Sequence, residues 1–263
     1  MGIKTSIKKS QLPIKYQKYN LIPTVNGVMA TVYLLDNIYV LKLFEKDTPI
    51  VTIESEIKLL NSLKNLPIPK VIDRFEINGL EVVIYTQIQG EIVSNSTTKH
   101  IKQLGIFLKD FHKQSRDIEL KNQELFLKQR LKTLIDSTKN RTLLQKFNNI
   151  SLKLNQDGVI HGDLFIDNCK FKDNKLSGVY DFSDACLGDF YFDLAVIVIG
   201  CCFNKSGLDR KKVEALLSGY EANIKKELFD EYIKYALLYY ATTRFIAKRD
   251  YREFLSYLVS MSN

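Results

Sequence analysis

VIHGDLFIDNCKF, residues 159–171, sets a histidine, two aspartates and an asparagine in one short polar run behind two β-branched residues. Val159 and Ile160 suit a strand, whereas Gly162 and Asp163 are turn formers, so the stretch reads as a strand opening into an irregular loop. CKFK (169–172), the turn DNK (173–175) and LSGVYDF (176–182) then read as a hairpin that carries Asp181 back toward that loop. Three oxygen-bearing side chains, Asp163, Asn168 and Asp181, can therefore converge.

Mg²⁺ binds few protein oxygens and fills its other positions with water and phosphate, so one carboxylate and one amide oxygen suffice for it. Asp163 is then left to orient or deprotonate an alcohol. That division of labour is what phosphoryl transfer requires, together with a cation on the triphosphate. Lys42, in a strand of the other half of the chain, is a candidate for the cation. Each residue alone has a plainer reading: HGD is a turn, and a single strand lysine is a solvated edge residue. Their joint occurrence with Asn168, the hairpin and DF is what points to a reaction centre.

Upstream, ATVYLLD (30–36) and NIYVLKLF (37–44) are β-branched and aromatic runs joined at Asp36 and Asn37, which predicts a hairpin. TIESEIKLLNSL (52–63) has helical apolar spacing with Thr52 as its cap, and the prolines of LPIPK (66–70) stop it. KVIDRFEI (70–77) and LEVVIYTQI (80–88) read as two further strands around Asn78 and Gly79. The expectation is a five-stranded antiparallel sheet with one helix, giving way near Gly90 to a mostly helical region. Ile101, Leu104, Leu108 and Phe111 share one helical face, and residues 122 to 156 are expected to be largely helical. After the hairpin, helices are expected from FYFDLAVIVIGCCF (190–203) and over about 211–219, 226–249 and 251–262. The fold class is thus α+β, in two lobes, 1–88 and 89–263.

The 263 residues are 45% hydrophobic and 26% charged, ordinary globular values. The formal charge of +8 is spread along the chain, which argues against a nucleic-acid stripe. No apolar run is long enough to cross a bilayer and the first twenty residues lack the apolar core of a signal peptide, so a cytoplasmic location is expected, without a membrane partner. The four cysteines show no C-x-x-C spacing and read as buried thiols. His112 is expected packed at a helix end, His100 solvated, and the aromatics of residues 232–249 in the core.

HGDLFIDN, GVYDFSDACLGDFYFDLAVI and VLKLF resemble the aminoglycoside phosphotransferase and choline kinase superfamily, whose fold is the bilobal protein-kinase-like one. HGDLFIDNCKF, FDLAV, CCF and TTRFI are most similar to the homoserine kinases within it. The resemblance implies an ATP- and Mg²⁺-dependent kinase of a small alcohol. Asp163 would be the catalytic base, Asn168 and Asp181 the metal ligands, and Lys42 the phosphate contact paired with a helix glutamate, Glu56 or else Glu54. Gly27, in VNGVMATVYL, would allow close approach to phosphate, and backbone groups around Gln87 and Ile88 would hold the adenine. Asp193 and His161 would brace the catalytic loop, while Asp167 is a bystander.

Homoserine carries a carboxylate and an ammonium, for which Arg244 and Asp184 are the candidates. Residues 118–156 carry eight Lys or Arg against three acids, an excess that disfavours a polycationic acceptor. Homoserine is the expected acceptor. Choline, an aminoglycoside or a sugar derivative is the alternative within the same chemistry, and a nucleotide-binding pseudokinase or an RNA-binding module the alternative outside it.

Overall fold

The computed structural model describes residues 4–24, 30–122, 124–204 and 206–261. Gly27 lies outside the described residues. The strands β1 (Leu21–Pro23), β2 (Ala30–Leu35), β3 (Tyr39–Phe44), β4 (Val71–Ile77) and β5 (Leu80–Thr86) form one antiparallel sheet in the order β1-β2-β3-β5-β4. Asn78 and Gly79 join β4 to β5 with Ile77 opposite Leu80, and both take positive φ, 53° and 76°. That is the two-residue turn whose twist matches a hairpin, and Asn-Gly is the pair that tolerates it.

Strand periodicity sorts β3 between two faces. Leu41 and Leu43 join Leu35, Val82 and Ile84 on one face, which the N-terminal residues Ile7, Leu12 and Tyr16 cover. Phe44 lies on the other, with Val83 and Tyr85, against helix α1 (Ile50–Ser62). Lys42 alternates with Leu41 and Leu43 and therefore points toward α1.

Helix α1 begins two residues before Thr52. Pro49 occupies its N-cap, and Thr52 instead donates its hydroxyl to Asn122 Oδ1 at 3.2 Å. A proline at a helix start forfeits only a donor that would be orphaned anyway, so the chain enters the helix there. The helix ends at Ser62, ahead of the prolines.

Helix α2 (Thr98–Ser115) buries Ile101, Leu104, Leu108 and Phe111 as its periodicity requires. Residues 122–156 are less helical than expected. Among the described residues of this stretch, only α3 (Lys128–Thr138) and α4 (Arg141–Asn148) form, separated by Lys139 at φ 54° and by Asn140, whose side chain caps α4. Lys128 Nζ ties the stretch after α4 down by donating to the carbonyls of Ile150 and Leu152.

Next come β6 (Gly158–Ile160), β7 (Cys169–Lys172), β8 (Lys175–Val179) and β9 (Cys186–Gly188), then α5 (Phe190–Cys201), α6 (Arg210–Tyr220), α7 (Lys226–Ile246) and α8 (Arg252–Ser260). β7 and β8 make the expected hairpin around Asp173 and Asn174, at φ 50° and 58°. β9, which pairs with β6, carries no alternation long enough to be recognised in sequence.

Gly105 and Gly219 let α2 and α6 cross closely, since a Cβ on Gly219 would stand 2.1 Å from the Lys102 carbonyl oxygen. The sheet is fastened to the hairpin: Glu91 and Phe171 exchange backbone bonds of 2.9 and 2.8 Å, and the Val179 N–H donates to the Pro67 carbonyl. α5 is buried almost all round, and Tyr232, Tyr235, Tyr239 and Tyr240 of α7 are buried too.

His100 is buried, not solvated. Its Nδ1 accepts from the Thr97 N–H, its Nε2 meets Asn174 Oδ1 at 3.3 Å, and its ring packs on Phe171. The third position of a capping box accounts for it, a place usually held by Glu or Gln. All four cysteines are buried and free, and burial pushes the Cys186 and Cys201 thiols up to about 12. Among the described residues, no helix is long and apolar enough to cross a membrane.

Candidate active site

The loop after β6 is held from behind by Asp193, in the first turn of α5. Its Oδ2 accepts the His161 N–H at 2.8 Å and His112 Nε2 at 3.0 Å, and its Oδ1 accepts the Gly162 N–H at 2.8 Å. Burial alone would raise this carboxyl, but His112 and the amides outweigh it and hold the group below its ordinary value. His161 donates from Nε2 to the Tyr180 carbonyl and accepts the Asp163 N–H at Nδ1, which fixes its tautomer. Its burial lowers its pKa and keeps the ring neutral.

Gly162 sits at φ +79°, and a Cβ there would stand 2.3 Å from the Phe126 ring, so glycine is required. Tyr240, from α7, donates to the Gly162 carbonyl and lies 3.4 Å from Asp163 Oδ1. Its role was not legible in sequence, where it is one of several aromatics on a core helix.

Asp163 is bound at Oδ2 by Asn168 Nδ2 at 3.1 Å, and the same nitrogen donates to the Asp163 carbonyl at 2.7 Å. Burial pushes the Asp163 carboxyl up to about 8, and the charges of Asp184, Asp181 and Asp167 add to that. Asp184 is raised to about 6, again chiefly by burial and then by Asp181. Asp167 is exposed, and its carbonyl accepts the Tyr180 hydroxyl.

From the sheet, Lys42 Nζ meets Glu56 at 3.1 and 3.2 Å, Asp181 Oδ1 at 2.9 Å and Ser183 Oγ at 2.6 Å. Glu56, not Glu54, is the buried partner. Burial would lower the Lys42 pKa, but Asp181 and Glu56 outweigh it and hold the ammonium above its ordinary value. Lys42 in turn draws Asp181 down to about 2.

Asp181 stands at φ 65°, a left-handed conformation that costs a non-glycine residue about 1 kcal/mol or more and is tolerated where a site needs it. Ser183 joins the cluster by bonding Glu56 Oε2 at 3.1 Å and Asp181 Oδ1 at 3.0 Å. Sequence reading gave this serine no role, since one hydroxyl after DF carries no spacing signal.

Among the described residues, no three His, Cys, Asp or Glu side chains converge into a self-sufficient metal site. Asn168 Oδ1 and Asp181 Oδ2, the oxygens not used in the bonds above, supply one amide and one carboxylate. That donor set fits Mg²⁺, which keeps water and phosphate as its other ligands.

At the expected adenine position, the Gln87 N–H already donates to the Ile38 carbonyl and the Ile88 carbonyl accepts from Lys170 Nζ. Gln87 therefore cannot serve through its amide; the Gln87 carbonyl and the Ile88 N–H are the groups left over. Gln87 Oε1 is also buried without a partner among the described residues. Arg244 stands apart from this cluster, stacked on Phe254 with its guanidinium 4.2 Å from the ring centroid.

Residues 23–228 match the family described as "Phosphotransferase enzyme family". The chain belongs to that family. The chain is 31% identical to a homoserine kinase of Chelativorans sp. (strain BNC1) over 173 residues, 60% of the chain and 54% of the relative. It is 28% identical to a homoserine kinase of Brucella anthropi over 254 residues, 84% of the chain and 77% of that relative. The chain spans between about a fifth and about half of the length of the first curated relatives it matches. Among solved structures, the ternary complex of APH(2″)-IIa with streptomycin and ATP superposes at a TM-score of 0.65, with 20% identity and 94% of each chain covered. The chain thus has the α+β protein-kinase-like fold expected from its sequence.

Proposed function

We propose that the chain is an ATP- and Mg²⁺-dependent kinase that transfers the γ-phosphate to the hydroxyl of L-homoserine. The observation that carries this reading is that Lys42 of the sheet binds both Glu56 and Asp181, while Asp163, bound by Asn168 in the loop after β6, feels the Asp181 charge. Residues 1–88 would form the nucleotide-binding lobe and 89–263 the catalytic and substrate-binding lobe, with adenine held at the Gln87 carbonyl and Ile88 N–H.

Lys42, oriented by Glu56, neutralises phosphate charge. Asn168 and Asp181 would hold Mg²⁺, which supplies charge stabilisation on the phosphates when bound. Asp163 orients the acceptor hydroxyl and receives its proton. A carboxyl pushed up toward 8 is a stronger base than an ordinary aspartate, as proton abstraction from an alcohol demands. Asp184, whose charge raises Asp163, tunes that base. Asp193 and His161 keep the loop in register.

The relatives of matching sequence are homoserine kinases, which favours an amino-acid alcohol. The structural neighbour is an aminoglycoside complex, so an aminoglycoside is the second reading. ADP release with homoserine, serine, choline and several aminoglycosides separates the two. Homoserine should give the highest kcat/KM, and a homoserine rate no higher than buffer beside turnover of another alcohol would reject the acceptor.

A further inference from the structure

At the α7–α8 end of the site lies a pocket of about 160 Å³ whose wall includes Phe165, Gly200, Arg244, Glu253, Phe254 and Tyr257. Phe165 follows Asp163 by two residues, and its ring meets Tyr240 edge-on at 4.8 Å, so the pocket opens off the loop that carries the proposed base. A Cβ on Gly200 would stand 2.6 Å from Phe165 Cδ1, so the glycine makes room for that ring.

Two opposite charges line the pocket without forming a salt bridge. Arg244 is anchored by its stacking on Phe254, and none of its N–H groups meets an acceptor among the described residues. Glu253 is anchored separately: its Oε1 accepts the Tyr257 hydroxyl at 2.6 Å. Stacking occupies the face of a guanidinium and leaves its edge N–H groups in the plane where they bind a carboxylate bidentately. A cation and an anion held apart by different partners around a volume of this size complement a small molecule that carries both charges.

We propose that this pocket binds the amino-acid end of the acceptor, with Arg244 on its α-carboxylate and Glu253 on its α-ammonium, so that the side-chain hydroxyl extends past Phe165 toward Asp163. The proposal rests on the kinase reading above. It moves the ammonium from Asp184, which does not line the pocket, to Glu253.

Three acceptors test it, each measured as an alternative substrate and as a competitive inhibitor: L-homoserine, 4-hydroxybutyrate without the ammonium, and 3-amino-1-propanol without the carboxylate. Glu253→Gln should raise the KM for homoserine about tenfold, leave kcat within about twofold and leave 4-hydroxybutyrate unaffected. Arg244→Ala should weaken homoserine and 4-hydroxybutyrate but not 3-amino-1-propanol. Arg244→Lys, which keeps charge and packing, should recover part of the loss. Equal losses across all three acceptors, or an unchanged homoserine KM in Glu253→Gln, would overturn the pocket while leaving the kinase reading intact. Wild-type protein that phosphorylates other alcohols but not homoserine would instead overturn the acceptor, and the pocket assignment with it.

Discussion

Lys42 meets Glu56, Asp181 and Ser183 within 3.2 Å, whereas Arg244, at the far end of the site, rests on the face of Phe254 and touches no acceptor among the described residues. The first region is a closed network in which charged groups satisfy one another before any ligand arrives. The second is a pair of charges pinned in place and left open. Such a contrast is expected if the network serves a transfer step common to many acceptors and the open pair serves the recognition of one. Substitutions in the network should therefore damage transfer whatever the acceptor, and those in the pocket should discriminate between acceptors.

The largest effect belongs to Asp163. Asp163→Asn keeps the size and the contact with Asn168 but removes the base, so kcat should fall by about a thousandfold or more while binding of a non-hydrolysable ATP analogue persists. Near-wild-type turnover would remove Asp163 from the chemistry.

Asp193→Ala comes next, as a failure of the fold rather than of the step. It would strand the His161 and Gly162 amides and one His112 nitrogen in a fully buried place, at a cost of about 3 kcal/mol. Urea unfolding measures it, and a loss below about 1 kcal/mol would show that water replaces the carboxylate.

Ser183→Ala should be milder, with Mg²⁺-nucleotide affinity about tenfold weaker by calorimetry, since one hydroxyl bonded to three charged groups is lost. Ser183→Thr should restore most of it; a wild-type affinity in the alanine variant would make the serine incidental.

The smallest effect is a displacement along the pH axis. The Asp163 carboxyl moves from an ordinary 3.8 to about 8 in the folded chain. Below 3.8 it is protonated folded or unfolded, and between these values only the folded chain retains the proton, so its contribution to stability is lost as pH rises toward 8. Activity runs the other way, because transfer needs the deprotonated form, and kcat/KM should climb through the same interval. Asp184→Asn removes the largest neighbouring charge acting on Asp163 and should move that limb to lower pH. An unmoved limb would mean that the Asp184 charge has no part in setting it.

What the sequence made legible divides along the same line. Lys42, Asp163, Asn168, Asp181 and Asp193 lie in short motifs whose residue types and turn chemistry specify one local geometry, and the structure gathers them. Tyr240 and Ser183 escaped because their importance comes from tertiary neighbours, Gly162 and Glu56, far away in the chain. His100 was misread for the same reason, as its burial depends on Asn174 and Phe171. Residues 122–156 misled by composition: polar residues at helical spacing do not show where Asn140 caps a helix or where Lys128 pins an irregular return. Glu253 had no signal at all, standing in the first turn of α8, where an acidic residue is expected for the helix dipole alone.

The most direct test of the central claim is mass-spectrometric identification of the product formed from L-homoserine and Mg·ATP by wild-type and Asp163→Asn protein at equal concentration. O-phospho-L-homoserine should accumulate with the wild type and form about a thousandfold or more slower with the variant. No phosphohomoserine from the wild type, or equal amounts from both proteins, would contradict it.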